Sequence, residues 1–205
     1  MEINTDGISV NICRPGHGAS CALCCGSHNY NAGPEDLDRM YAARSNLLKN
    51  FSREYLVRCI QSGRNSMTGS YRSSRTESIY EFQLIRPEGT ACRYLGYAED
   101  KSLVCLLSRD PELKQDCFFN YYGKDFSCRA GHELTVKEVL FSAELFGDWF
   151  YYSLSIYETA ILKALHKKFK RPEMLDCGAI DGIKRKLASI VSADPVIHSI
   201  HAYFE

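Results

Sequence analysis

The run Ser-Cys-Ala-Leu-Cys-Cys-Gly-Ser-His, residues 20–28, puts three thiols, Cys21, Cys24 and Cys25, within five positions, and Cys13 lies just upstream. Thiolates are strong, soft ligands, and four of them suit zinc or an iron–sulfur cluster. Crowding them in a glycine-bearing loop lowers the entropy lost when the ligands are gathered. Cys24 and Cys25 are adjacent, so their side chains do not readily aim at one small ion. Either one sulfur serves one site and the other a second, or a larger cluster spans the difference.

A second set, Cys92, Cys105, Cys117 and Cys128, follows at intervals of eleven to thirteen positions. Cys59 and Cys177 fall in or near helical stretches and read as packing cysteines, because an unligated thiol behaves as a small hydrophobe. Ten cysteines in 205 residues would read as a disulfide framework in a secreted chain. The opening MEINTDGISVNICRPG lacks a basic stretch followed by an apolar run, so it does not read as a signal peptide. The expected compartment is therefore the reducing cytosol, where metal ligation or redox chemistry is the better use of such sulfur.

SCALCCGSH, then CRYLGYAEDKSLVC, then Cys117 and Cys128 resemble the YkgJ-type cysteine-cluster family of zinc- or iron-chelating domains, whose motif is CxxCxxCC. The resemblance covers residues 13–128. It aligns Cys21, Cys24 and Cys25 with the last three motif cysteines, Cys92 and Cys105 with a hairpin pair, and Cys117 and Cys128 with the trailing ones. The chain departs at the first cysteine, where seven residues separate Cys13 from Cys21; His17 or His28 are alternative ligands there. The segment is also similar to the cysteine cluster of flagellin lysine methylases. That likeness implies an iron–sulfur cluster and methyl transfer from S-adenosylmethionine, although no glycine-rich strand–turn–helix signature for that cofactor is present.

Other chemistry is sparse. His198 and His201 are three apart and read as surface residues. Glu144, Asp148 and Glu158, with Tyr151, Tyr152 and Tyr157, are candidates to line a pocket, yet solvated carboxylates explain them equally. No GxSxG, HExxH or P-loop motif appears. The 25 basic and 25 acidic residues balance, which argues against nucleic acid as a partner and disfavours a zinc-stapled RNA-binding module. No apolar run is long enough to span a bilayer.

The elements that must position the cysteines follow from periodicity. Residues 1–33 read as glycine-rich loop. Pro34, followed by Glu35 and Asp36, starts a helix with an apolar stripe of Leu37, Met40, Tyr41, Leu47, Leu48 and Phe51, interrupted by Arg44. Ser52 can cap a short helix to about Ile60, and residues 62–78 read as a solvated loop carrying Arg64, Arg72 and Arg75. Alternation around Tyr80, Phe82 and Leu84 suggests a strand. Cys92–Tyr97, the turn AEDKS and Leu103–Leu107 read as a hairpin, and Cys117 and Cys128 bound an aromatic loop.

The remainder reads as helical. Thr135 and Glu138 form a capping box, Gly147-Asp148 a break, and residues 149–169 one long segment with Phe150, Leu154, Tyr157, Ile161 and Leu165 as its core stripe. Asp194-Pro195 opens a last helix. The expectation is a single α+β domain over 1–205, mainly helical, with a small β-hairpin and metal-pinned irregular loops. Residues 1–132 form its cysteine-cluster part and 133–205 a helical part. The expected function is a cytoplasmic metal-binding protein holding an iron–sulfur cluster or zinc. The alternative is an S-adenosylmethionine-dependent protein methyltransferase that uses the cluster beside a helical pocket.

Overall fold

A computed structural model of the chain describes residues 2–48, 52, 54, 82–86, 92, 94–106 and 128–193. The fold is α+β and mainly helical, with two small antiparallel two-stranded sheets among the described residues. The chain forms two compact units. One comprises Met1–Leu23, Ser127–Ile197 and His201–Glu205, and the other Cys24–Phe126 and His198–Ile200.

The first unit opens with a hairpin, which corrects the expectation of loop before Pro34. Strand β1 (Glu2–Thr5) pairs with β2 (Ile8–Asn11) in the register Glu2↔Asn11 to Thr5↔Ile8. Asp6 and Gly7 join them with φ of 55° and 77°, the two left-handed residues of a twist-matched tight turn. Asp-Gly is the sequence signal for that turn. Ile3 and Ile12 are buried. The turn is tied to the helices by Lys137 Nζ on Asp6 Oδ2 at 3.3 Å and by Val136 N–H on Thr5 Oγ1 at 3.4 Å.

Helix α2 (Arg129–Glu133) leads into α3 (Val136–Phe146). The capping box is present: Thr135 Oγ1 accepts from Glu138 N–H, and the Glu138 side chain returns to the Thr135 N–H at 2.8 Å. Gly147 ends α3 at φ 61°, and Asp148 caps α4 (Trp149–Tyr157) by accepting from Tyr151 N–H at 2.7 Å. That fixes Asp148 as a cap, while Glu144 is exposed. Leu154 and Leu162 are fully buried, each such side chain contributing about 1.5–3 kcal/mol. Ser142 and Ser155, also fully buried, satisfy one another across α3 and α4 at 2.5 Å.

Residues 149–169 are not one helix. Glu158, at φ −89° and ψ 61°, separates α4 from α5 (Thr159–Phe169). Long-range partners hold the break. Arg129 donates to the Tyr157 carbonyl at 3.1 Å, taking up an acceptor at the helix end, and Thr159 Oγ1 donates to Glu133. Of the expected stripe, Phe150 and Leu154 are buried, whereas Tyr157, Ile161 and Leu165 are half-buried. After a 3₁₀ turn at Pro172–Met174, α6 runs Cys177–Ala193 with Asp176 accepting from Ala179 N–H at 2.7 Å.

The second unit is built on α1 (Pro34–Leu48), which starts at the expected proline. Leu37, Met40 and Tyr41 are buried and pack α1 against the expected hairpin, β3 (Leu95–Tyr97) with β4 (Leu103–Cys105). Ser45 locks the contact, donating to the Tyr41 carbonyl at 2.8 Å and accepting from Tyr97 N–H. Of the expected strand near Tyr80, the described part makes a single bridge, Leu84 to Tyr30. Asn29 fastens that segment through both amide atoms to the main chain of Arg86, each at 2.9 Å. The helix expected after Ser52, the loop at 62–78, and the helix from Asp194 lie outside the described residues, as do Cys59, Cys117, His198 and His201.

Candidate metal centre

Seven of the eight proposed ligands lie among the described residues: Cys13, Cys21, Cys24, Cys25, Cys92, Cys105 and Cys128. All seven are thiols. They separate into two groups, each within one unit.

The first group is Cys13, Cys21 and Cys128. Cys21 N–H donates to the Cys13 carbonyl at 3.0 Å, so the seven intervening residues form a closed loop. At its tip His17 and Gly18 have φ of 57° and 75°, and Ala19 N–H returns to the Gly16 carbonyl at 2.9 Å. A Cβ at Gly18 would also come close to the Gly147 carbonyl oxygen, at 3.1 Å. Helix α4 holds both ends of the loop. Tyr152 donates to the Ile12 carbonyl at 2.7 Å, and Ser153 to the Ser20 carbonyl at 3.1 Å. Cys128 precedes α2, whose Arg129 is anchored to the end of α4. Burial pushes the Tyr152 phenol well above its ordinary pKa, and the thiols of Cys21, Cys13 and Cys128 push it the same way.

The second group is Cys24, Cys25, Cys92 and Cys105. Leu23–Cys25 is a single 3₁₀ turn, and Leu23 is buried. Cys92 N–H donates to the Cys25 carbonyl at 2.9 Å, and Leu95 N–H to the Cys92 carbonyl at 3.5 Å. Cys105 is the register partner of Leu95 on the hairpin. The hydrogen bond between the adjacent thiols dominates their acidity: it lowers the pKa of Cys24 and raises that of Cys25 well above the usual thiol value. Burial and the nearby thiols of Cys24, Cys92 and Cys105 raise Cys25 further.

Arg44, the gap in the α1 stripe, reaches this group. It donates to the Cys92 carbonyl at 3.4 Å and to Tyr30 Oη at 3.1 Å, with its guanidinium 5.3 Å from the Tyr30 ring centre and 5.6 Å from that of Tyr41. A charged residue interrupting an apolar stripe was the one sequence signal for it.

The histidine alternatives fare unequally. His17 is exposed on its turn. His28 is buried, with Nδ1 at 2.9 Å from Ser27 Oγ, and belongs to the second unit. Cys177, expected to pack, is instead exposed at the start of α6, where the first turn of a helix faces outward. Among the described residues, no three His, Cys, Asp or Glu side chains already stand as a group that could hold a metal ion. Thiols are donors of the kind that zinc or an iron–sulfur cluster takes.

Searches against models of protein families, against curated proteins and against solved structures found no match to this chain. Among the described residues, no helix is long and apolar enough to cross a membrane.

Proposed function

We propose that this is a metal-binding protein whose cysteines hold an iron–sulfur cluster or zinc. The observation that carries the reading is the 2.9 Å main-chain bond between Cys92 and Cys25. It brings a cysteine from far along the sequence to the CxxCC run, which supports a shared ligand set. The resemblance to YkgJ-type chelating domains agrees with this reading, and so does a reducing compartment such as the cytoplasm, which keeps thiols available. The vicinal pair favours the cluster over a single tetrahedral ion. A sulfur donor set specifies what is held and not what reaction follows, so the proposal stops at binding.

Metal analysis with an absorption spectrum, on protein purified without oxygen, tests it. Stoichiometric iron or zinc is expected, with a brown colour bleached by dithionite if the metal is a cluster. Cys25→Ser should lose metal, because serine is a poor ligand for soft ions, while Cys177→Ser keeps it. Folded protein holding less than about a tenth of an equivalent, against the near-full occupancy expected of a structural site, would end the proposal.

A further inference from the structure

We propose that Cys13 and Cys21 are a thiol–disulfide exchange pair, which a low-molecular-weight disulfide oxidises to an intramolecular disulfide closing the loop 14–20. This goes beyond metal binding and holds whether or not the chain carries a metal. The main chain supplies the spacing. Cys21 N–H donates to the Cys13 carbonyl at 3.0 Å. A main-chain bond of that length leaves the two Cα atoms roughly 5–6.5 Å apart, inside the roughly 4.4–6.8 Å that a disulfide spans. Both residues are half-buried thiols, which leaves part of each open to a small oxidant. Cys92, whose N–H bonds the Cys25 carbonyl in the same way, is only 2% exposed and lacks that access.

The spacing is held from both sides. The Ile12 and Ser20 carbonyls, each one residue before a cysteine, accept from Tyr152 and Ser153 of α4 at 2.7 and 3.1 Å. Cys13 N–H is held by Asn11 Oδ1 at 3.0 Å. Between the cysteines the chain turns back through Gly16, His17 and Gly18, at φ of 105°, 57° and 75°. A preset spacing removes much of the entropy that a flexible loop loses on closing. In the exchange, one thiolate attacks the oxidant's disulfide, releasing one thiol and leaving a mixed disulfide. The other thiolate then displaces the second thiol. The pair loses two electrons and two protons, and the oxidant takes them up as two thiols. Both sulfurs are then withdrawn from ligation, so closure competes with any metal held through them.

The test equilibrates the full chain, reduced and metal-free, in a series of glutathione buffers. Remaining thiols are blocked with iodoacetamide, disulfides are reduced, and the thiols released are tagged with N-ethylmaleimide and located by tandem mass spectrometry. Cys13 and Cys21 should acquire the second tag together. Their common midpoint should follow the square of the thiol form of glutathione over its disulfide form, as an intramolecular disulfide requires. A dependence on the first power would mean a glutathione adduct and overturn the proposal. So would a cross-linked peptide joining Cys13 to Cys128 or Cys21 to Cys24, or a Cys13 and Cys21 that stay thiols in the most oxidising buffer. Cys21→Ser should abolish the transition at Cys13 altogether; the mapping on the unmutated chain stands even where that variant does not fold. Metal is absent throughout, so the metal reading is decided separately by metal analysis.

Discussion

Arg44 and Cys92 meet at 3.4 Å, guanidinium to main-chain carbonyl, in the second unit. The contact places a permanent positive charge close to Cys92. Burial works against that charge, and the phenols of Tyr30 and Tyr41 more than offset it. Arg44→Met should destabilise the unit by about 1.5–3 kcal/mol, the range for a lost hydrogen bond to a charged group, read by urea denaturation. In metal-loaded protein the pH of half-release should rise. Without the cation the thiolates are less stable, and protons compete for them at lower acidity. An unchanged release pH would separate Arg44 from the thiol group.

Tyr152 is fully buried, and its hydroxyl supplies a partner for the Ile12 carbonyl. Tyr152→Phe leaves that acceptor unsatisfied and should cost about 1–3 kcal/mol. Ser153→Ala, losing the longer bond to Ser20, should cost about 1 kcal/mol. The two residues hold opposite ends of one loop, so the double variant should depart from additivity. Denaturation of the four proteins completes the cycle.

Gly96 is needed for space. A Cβ there would lie 2.6 Å from both Leu106 Cδ1 and Ser45 Oγ, and Ser45 is committed to Tyr41 and Tyr97. Gly96→Ala should cost about 1–3 kcal/mol through overpacking, partly recovered by Leu106→Ala in the same background. Gly7→Ala meets nothing within 4 Å but keeps φ at 77°, so about 1–2 kcal/mol of backbone strain is expected with no rescue by neighbours. Thermal and urea midpoints distinguish the two.

Alkali should unfold the second unit through Tyr41. Its phenol donates to the Ser27 carbonyl at 2.8 Å, and burial, then Tyr30, hold its pKa well above the ordinary value. A raised folded pKa favours the neutral phenol in the folded state. The stability it lends is intact below about pH 10 and is lost as pH rises toward the folded pKa. The slope approaches about 1.4 kcal/mol per pH unit for one proton. Urea midpoints between about pH 8 and pH 11 should fall less steeply in Tyr41→Phe; an identical slope would clear Tyr41.

What the sequence disclosed was local. Pro34, the Thr135–Glu138 box and Gly147-Asp148 announced helix ends because capping is settled within a few residues. The hairpin at Leu95–Cys105 showed through its turn and its apolar runs. Asp6-Gly7 carried an equally local signal, which the glycine content around it masked. The break at Glu158 had none, since the groups that hold it, Arg129 and Glu133, lie a full helix away. The tertiary partners of the cysteines were hidden for the same reason: spacing shows that thiols are plentiful, but not that Cys92 N–H donates to the Cys25 carbonyl.

The Tyr152–Ile12 bond joins residues 140 positions apart, which sets an order of events during synthesis. At about 5–20 residues per second, the ribosome delivers Tyr152 on the order of ten seconds after Ile12. All of residues 24–126 is synthesised in that interval, so the loop that Tyr152 and Ser153 hold stays untied until helix α4 arrives. A nascent chain stalled near residue 126 would carry the Ile12 carbonyl without the hydroxyl that satisfies it in the folded protein.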